Sequence, residues 1–184
     1  MMNRIELPIE TLRRLLRYEP ETGKLYWLPR IAGFYTKNDA TCNAWNARFA
    51  GKEAGTPMPG GYIQVLIARR GFRSSRIAWA LTHGVWPGEC IDHINGIPSD
   101  NRLANLRNVS KVENGRNRAR SKSNVSGVMG VDWREDFSAW RARIIVDGKQ
   151  KHLGLFNNFE EAVSARKAAE RAYGFHENHG RNAA

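Results

Sequence analysis

The N-terminal third of the chain alternates short apolar runs with breaks rich in glycine, proline and asparagine. Three leucines recur at helical spacing after Pro8, so the pattern predicts a short amphipathic helix over residues 8–18. Leu25-Tyr26-Trp27 is typical of a strand. Residues 30–60 show little periodicity, which predicts a long loop with short strands. We therefore expect residues 1–60 to form an N-terminal lobe whose fold the pattern leaves open.

A stronger strand pattern begins after this lobe. Residues 62–68 and 72–77 are rich in β-branched and aromatic side chains, and Arg69-Arg70-Gly71 between them is typical of a hairpin turn. A short helix is predicted next, over Ile77-Ala78-Trp79-Ala80-Leu81. Two strands and a helix are thus expected ahead of the polar stretch that starts at Ile91.

A helix start and a domain boundary follow that stretch. Ser110-Lys111-Val112-Glu113 is a capping box, because the serine hydroxyl can accept from the backbone three residues on while the glutamate reaches back. It predicts a helix from about residue 111. The residues from 116 to 126 are mainly Arg, Lys, Ser and Asn, which is typical of a basic linker. We place the linker itself at residues 119–126.

The C-terminal part has a repeating strand pattern that ends in a helix. Strands are predicted over residues 127–134, 139–146 and 149–155. Asp147-Gly148 is a strong signal for a two-residue hairpin turn, and Asn158 can cap an alanine-rich helix that stops at Gly174. Residues 127–175 are therefore expected to form one small domain.

Alternation along these strands predicts which side chains face the helix. The positions expected to point inward are Trp140, Ala142, Ile144, Val146, Val131 and Trp133. The positions expected on the opposite face are Arg134, Arg141 and Arg143.

The charge balance points to an anionic polymer as partner. The 184 residues carry a formal net charge of +11, which favours nucleic acid, and six Trp and five Tyr argue against a disordered basic tail. Cys42 and Cys90 form no C-x-x-C pair, so neither a disulfide framework nor a Cys-rich zinc site is expected. The N-terminus has no apolar signal region and no window is apolar enough to span a bilayer, so we expect a cytoplasmic protein without membrane contact.

The densest candidate chemistry lies in the stretch IDHINGIPSDNRLANLR, residues 91–107. Asp92 and His93 are neighbours at the end of a predicted strand, where an ending strand can present both to one site. A carboxylate and an amide oxygen suit Mg²⁺, and a nearby histidine can act as a general base towards water. Asn95, Asp100 and Asn101 are explained as turn-forming residues.

These residues resemble the HNH endonucleases, in particular the phage and intron-homing branch. The resemblance is carried by Asp92-His93-Ile94-Asn95-Gly96, Asp100-Asn101-Arg102, Asn105-Leu106-Arg107 and Glu113-Asn114 with Asn117. It implies His93 as general base, Asn105 as the residue that braces the histidine segment, and Asp92 and Asn114 as ligands of Mg²⁺ or another divalent ion such as Mn²⁺. The implied reaction is hydrolysis of a DNA phosphodiester bond.

The C-terminal domain resembles the plant ethylene-response-factor type of DNA-binding domain. The residues that carry this resemblance are Gly130-Val131, Trp140-Arg141-Ala142-Arg143-Ile144, His152-Leu153-Gly154-Leu155-Phe156 and Glu160-Glu161-Ala162. It implies that one sheet face lies in the major groove of double-stranded DNA. Asp132, Ile145, Gln150 and His152 stand where those domains carry Arg or Trp, so we expect mainly phosphate contacts.

The expected fold class is α+β. A ββα-metal nuclease core of the HNH or His-Me finger type is expected over residues 61–118, with the motif itself at 89–118, followed by the three-stranded antiparallel sheet packed on one helix. The expected DNA-binding residues are Arg134, Arg141, Arg143, Lys149, Lys151, His152, Arg116, Arg118 and Asn117.

Three questions stay open at this level. A non-catalytic DNA-binding regulator is the alternative function, although the catalytic set is complete in this sequence. An RNA-processing nuclease is a second alternative, and the major-groove domain argues against it because side chains cannot read the narrow A-form major groove. A monomer with one site would nick DNA, whereas a homodimer could cut both strands.

Overall fold

The computed structural model describes residues 6–33, 38–121 and 123–182 of the chain. These residues form a mixed α/β structure with several small sheets. They divide into two compact units, the first made of residues up to 93 with 97–108, and the second of residues 94–96 with 109 onward.

The described residues of the first unit form three α-helices, one short 3₁₀ helix (Leu103–Asn105) and seven strands. The helices are α1 (Ile9–Leu15), α2 (Asp39–Phe49) and α3 (Ser74–His83). The strands are β1 (Leu16–Glu19), β2 (Lys24–Trp27), β3 (Thr56–Pro57), β4 (Ile63–Ile67), β5 (Arg70–Arg73), β6 (Cys90–His93) and β7 (Leu106–Val109). Strands β1 and β2 form an antiparallel hairpin, β3-β4-β5 form a second sheet, and β6 pairs with β7.

The core of this unit joins the N-terminal elements to the sheet and helix that precede β6. Leucines from α1, β1 and β2 pack against Val65 and Ile67 of β4 and against Ile77 and Ala80 of α3. Burial of such side chains contributes roughly 1.5–3 kcal/mol each. The N-terminal residues therefore share one packed core with the sheet and helix that precede β6 in the chain.

Three predictions for this unit need correction. The first helix ends at Leu15, not at residue 18, because the backbone of Leu16 is extended and the strand β1 begins there. The stretch 30–60 contains the eleven-residue helix α2, which Asn38 caps by accepting from the backbone of Thr41. This helix buries only Cys42, so its sequence shows little helical periodicity.

The third correction concerns the hairpin between β4 and β5. Its turn is formed by Ala68 and Arg69, which both adopt positive φ angles of 49° and 62°. The predicted turn placed Gly71 at its end, but Gly71 lies in β5, where a side chain would collide with Gln64. Strand β5 then ends at Arg73 and helix α3 begins at Ser74, three residues earlier than predicted.

The described residues of the second unit form two α-helices, one short 3₁₀ helix (Glu135–Phe137) and three strands. The elements are α4 (Lys111–Gly115), β8 (Val131–Arg134), β9 (Ala139–Val146), β10 (Lys149–Phe156) and α5 (Phe159–Ala172). The strands form an antiparallel sheet in the order β10-β9-β8. Asp147 and Gly148 both adopt positive φ angles in the turn between β9 and β10, and Asn158 caps α5, as predicted.

The inward face of this sheet follows the predicted alternation. Ala142, Ile144 and Val146 are buried against α5, together with Val131. Trp133 pairs directly with Trp140 and therefore lies on the same side of the sheet, as predicted, although it is 41% exposed. The Trp140 ring packs against Phe159 of α5 with ring centroids 4.8 Å apart, and Trp133 packs edge-on against Trp140.

The basic stretch after α4 forms backbone hydrogen bonds with the last described residues of the chain. The units divide at residue 108, whereas the sequence placed a linker at residues 119–126. The backbone N–H of Arg120 donates to Arg181 at 2.8 Å, and that of Gly180 donates to Arg118 at 2.9 Å. This stretch therefore runs alongside the end of the chain within the second unit.

Candidate active site

Asp92 and His93 are the last two residues of strand β6, where the sequence predicted an ending strand. Each is only 6% exposed, although both side chains are polar. Burial of such groups is costly unless hydrogen bonds or opposite charges compensate for it. The hydrogen-bond and ion-pair partners of the two side chains therefore determine their orientation and charge.

His93 is held by Asn101. The imidazole Nε2 lies 3.1 Å from the Asn101 Oδ1, while the Asn101 Nδ2 donates to the carbonyl of Ser99 at 3.3 Å. This arrangement turns the amide oxygen towards the ring, so Nε2 carries the hydrogen and Nδ1 carries the lone pair. The sequence interpretation treated Asn101 only as a turn residue. It missed the contact because the two side chains meet across a loop.

The electrostatic surroundings keep His93 neutral. Burial lowers the pKa of His93 below its ordinary value and outweighs the opposing influence of the Asn101 hydrogen bond and the Asp92 charge. Arg73 lowers it further. A neutral imidazole is the form that can accept a proton near pH 7.

The loop from residue 97 to 105 is braced from the N-terminal hairpin. The Tyr18 hydroxyl donates to the carbonyl of Asn101 at 2.7 Å, and burial with the charge of Asp100 raises the pKa of Tyr18 to about 12. Gly23, with φ +74°, lies directly against the backbone of Asn101 and Arg102, where any side chain would collide. The N-terminal residues thus support the loop that carries the partner of His93.

Asn105 is buried and contacts the same loop. Its Nδ2 donates to the carbonyl of Asp100 at 2.8 Å, and the Asp100 carboxylate forms an ion pair with Arg102 at 2.6 Å. The bracing role that the resemblance implied for Asn105 remains a prediction. The observed hydrogen bond joins the Asn105 side chain to the loop that carries Asn101.

Asp92 forms an ion pair with Arg107, a residue for which the sequence suggested no separate role. The Arg107 Nη2 and Nε lie 2.6 Å and 2.8 Å from the Asp92 Oδ2. Arg107 belongs to β7, the strand that pairs with β6. The guanidinium group compensates the buried carboxylate and fixes its orientation.

Tyr62 and Arg73 complete the surroundings of His93, and the sequence interpretation missed both. The Tyr62 ring lies edge-on to the imidazole at 6.0 Å, and the Arg73 guanidinium stacks over the Tyr62 ring at 3.8 Å. Both belong to the hairpin around β4 and β5. Only the three-dimensional structure brings this hairpin next to the motif.

The remaining motif residues belong to the second unit. Asn114 is exposed on α4, and both hydrogen bonds of the predicted capping box between Ser110 and Glu113 are present. Asn117 is 2% exposed, and its side-chain oxygen accepts from Arg181 at 2.9 Å. A phosphate oxygen only accepts hydrogen bonds, so a phosphate contact by the Asn117 side chain would have to come from its Nδ2.

The outward face of the C-terminal sheet carries Arg134, Arg141, Arg143 and His152. Asp132 pairs with Arg141 at 2.7 Å and with Arg143 at 3.3 Å, and Asp136 pairs with Arg134 at 2.6 Å. These aspartates neutralise part of the positive charge of the face. Arg118 is exposed on the stretch after α4, and Arg116 lies 3.6 Å from Asp147.

Lys149 and Lys151 do not share this face. Lys149 pairs with Val146 and Lys151 with Ile144, both of which face α5. Directly paired residues of an antiparallel sheet point to the same side. The Lys151 Nζ accordingly lies 3.1 Å from the Tyr173 hydroxyl at the end of α5. The two lysines therefore lie on the other side of the sheet from the arginines with which they were named as expected DNA-binding residues.

The described residues contain no cluster of three or more His, Cys, Asp or Glu side chains that could hold a metal ion by itself. Among the same residues no helix is long and apolar enough to cross a membrane.

Comparisons with known proteins identify the region that contains the site. Residues 73–116 match the HNH endonuclease family. Over 76 residues the chain is 40% identical to Protein 3.8 of Escherichia phage T7, an alignment that covers 41% of this chain and 63% of that relative. The comparison with solved structures finds no significant match. The matched range includes Asp92, His93, Asn105 and Asn114, and residues 73–116 are therefore an HNH endonuclease domain.

Proposed function

We propose that this chain is a metal-dependent endonuclease that hydrolyses phosphodiester bonds of double-stranded DNA, with His93 as general base. The observation that carries the proposal is the buried His93, held by Asn101 and placed next to Asp92 inside the matched HNH range. Its Nδ1 lone pair can take a proton from a water molecule that attacks phosphorus. The products would be 5′-phosphate and 3′-hydroxyl ends.

Asp92 and Asn114 are the residues we propose to hold the divalent ion, Mg²⁺ or another such as Mn²⁺. A buried carboxylate with an amide oxygen fits a hard cation that completes its coordination with water and substrate phosphate. When bound, the ion would stabilise negative charge on the phosphoryl oxygens. Arg107 orients the Asp92 carboxylate.

DNA is the substrate that the HNH domain implies, and the second unit offers a surface for it. We propose that the outward sheet face, with Arg134, Arg141, Arg143 and His152, contacts DNA phosphates in the manner of the plant ethylene-response-factor domains. Arg116, Arg118 and Asn117 belong to the same unit and extend the proposed contact towards α4. The three-stranded sheet packed on one helix supports this resemblance.

We expect removal of the sheet arginines to weaken DNA binding, because each of them is proposed to neutralise a DNA phosphate. In Arg134→Ala and Arg143→Ala, the slope of log affinity against log salt should fall by about 0.9 for each phosphate that the variant no longer neutralises. Fluorescence anisotropy with a DNA duplex at several salt concentrations measures this slope. Lys151→Ala is the matched control, because it removes one charge from the helix side of the same sheet. Equal effects of Arg143→Ala and Lys151→Ala would remove the assigned role of the face.

The substrate class is tested with duplex DNA and duplex RNA of the same sequence, both incubated with the full chain in Mg²⁺. We expect cleavage of the DNA and intact RNA, because the sheet face is proposed for the wide major groove of B-form DNA. Cleavage of RNA alone would support the RNA-processing alternative. Tight binding of DNA without cleavage of either duplex would support the non-catalytic regulator.

One chain carries one proposed site. A monomer should therefore nick, and cleavage of both strands would require a homodimer or two binding events.

A further inference from the structure

The last described residues, 175–182, extend beyond the predicted C-terminal domain and are called the C-terminal tail here. The tail is anchored at its base to α5. His179 is buried and lies 3.2 Å from the Arg166 Nη2, and Arg166 forms a buried ion pair with Glu170 at 3.0 Å. The backbone N–H of Phe175 donates to Glu170 at 2.9 Å. The tail is thus continuous with the helix that supports the sheet.

From this base the tail runs along the stretch that follows α4. The backbone N–H of His176 donates to Arg116 at 3.1 Å, and that of Gly180 donates to Arg118 at 2.9 Å. The N–H of Arg120 donates back to Arg181 at 2.8 Å. These backbone bonds fix the position of the tail independently of its side chains.

Arg181 joins two segments that flank the proposed catalytic residues in the chain. Its Nη1 donates to the Asn117 carbonyl at 2.6 Å and to the Asn117 Oδ1 at 2.9 Å. The same guanidinium lies against Gly96, where φ is +73° and any side chain would collide with it. Asn178 of the tail donates to the carbonyl of Ile94 at 2.9 Å.

The segments that Arg181 and Asn178 contact lie close in sequence to the proposed catalytic and metal-binding residues. Ile94 directly follows His93, and Asn117 follows Asn114 by three residues. We propose that Arg181 is a positioning residue of the nuclease, which fixes the segment after His93 and the segment after Asn114 from the C-terminal tail. Its catalytic consequence rests on the proposed endonuclease function. Under this proposal the C-terminal tail, which lies beyond the predicted domain limit at residue 175, contributes to the nuclease function.

The test uses the full chain with Arg181→Ala, Arg181→Lys and Gly96→Ala. Arg171→Ala is the control, because it removes the same charge from an exposed position of α5. Nicking of supercoiled plasmid at several DNA concentrations separates kcat from KM. In Arg181→Ala, kcat should fall roughly 10- to 100-fold with KM unchanged, since small displacements of catalytic groups have effects of this size. Gly96→Ala should show the same pattern.

Arg181→Lys should recover part of the lost kcat, because lysine keeps a charged donor but lacks the planar fork. Amide hydrogen exchange should be faster in Arg181→Ala in the peptides that contain Ile94–Gly96 and Asn117, and unchanged in Arg171→Ala. A kcat of Arg181→Ala equal to that of Arg171→Ala would overturn the proposal. A wild-type protein that does not cut would count against the proposed function. In that case unchanged exchange in Arg181→Ala would still overturn the bracing by Arg181, and faster exchange would support it.

Discussion

His93→Ala is expected to lose DNA cutting by about 10²- to 10⁴-fold, which is the range of general-base contributions. The reason is that Nδ1 of His93 is the group proposed to take the proton from the attacking water. The imidazole is kept neutral by burial, and its tautomer is set by Asn101. The measurement is the initial rate of nicking at saturating plasmid in Mg²⁺.

A control variant and a stability measurement separate a loss of chemistry from damage to the fold. His83→Ala removes an exposed histidine that stacks on Trp79 and should cut like the wild type. Because His93→Ala removes the hydrogen bond between the imidazole and the Asn101 Oδ1, the free energy of unfolding should fall by about 1–3 kcal/mol. DNA affinity should stay the same. If a folded His93→Ala protein nicks as fast as the wild type, His93 is not the base.

Asp92→Asn is expected to produce the second large loss. The substitution keeps the size of the side chain but removes the charge that we propose to hold the divalent ion. Cutting should fall by about 100-fold or more at a fixed Mg²⁺ concentration, because metal-based charge stabilisation is worth several kcal/mol. Nicking rates across a Mg²⁺ titration measure the effect. The curve should move to higher Mg²⁺.

The same substitution also disturbs the ion pair with Arg107. The Arg107 side chain is 33% exposed and that of Asp92 is 8% exposed, so water screens the pair on one side only. We expect a loss of about 1–2 kcal/mol in the free energy of unfolding, well below the cost of breaking a fully buried pair. Asp39→Asn removes an exposed carboxylate from α2 and serves as control. A Mg²⁺ curve of Asp92→Asn identical to the control would exclude Asp92 as a ligand.

Local patterns predicted the elements that depend on neighbours in the chain. The capping box at Ser110 and Glu113, the turn at Asp147-Gly148 and the cap at Asn158 all have the expected geometry. Each depends on hydrogen bonds or backbone angles within about four residues. Alternation along β9 worked as well, because one face of that strand is covered by α5.

The same patterns failed where one residue could serve two purposes. Gly71 looked like a turn residue, but the structure uses its missing side chain to make room for Gln64. Ala68 and Arg69 then take the positive φ angles, which no local rule favours. Helix α2 was missed because it turns only one buried residue, Cys42, towards the core.

Within the candidate site, the sequence predicted the positions of Asp92 and His93 better than it predicted the residues around them. Asp92 and His93 were identified by residue type and by their place at the end of a strand. Asn101, Tyr62 and Arg73 were missed, because their contacts with His93 or its neighbours depend on how loops fold back. The support from Tyr18 joins residues 83 positions apart, which periodicity does not reveal.

The central claim is that the wild-type chain hydrolyses DNA with the aid of a divalent ion. The most direct measurement is incubation of supercoiled plasmid with the full chain in Mg²⁺ and, in parallel, in excess EDTA. We predict conversion of the plasmid to the nicked form in Mg²⁺ and none in EDTA. Plasmid that binds the protein but stays supercoiled in Mg²⁺ would contradict the claim and favour the non-catalytic regulator.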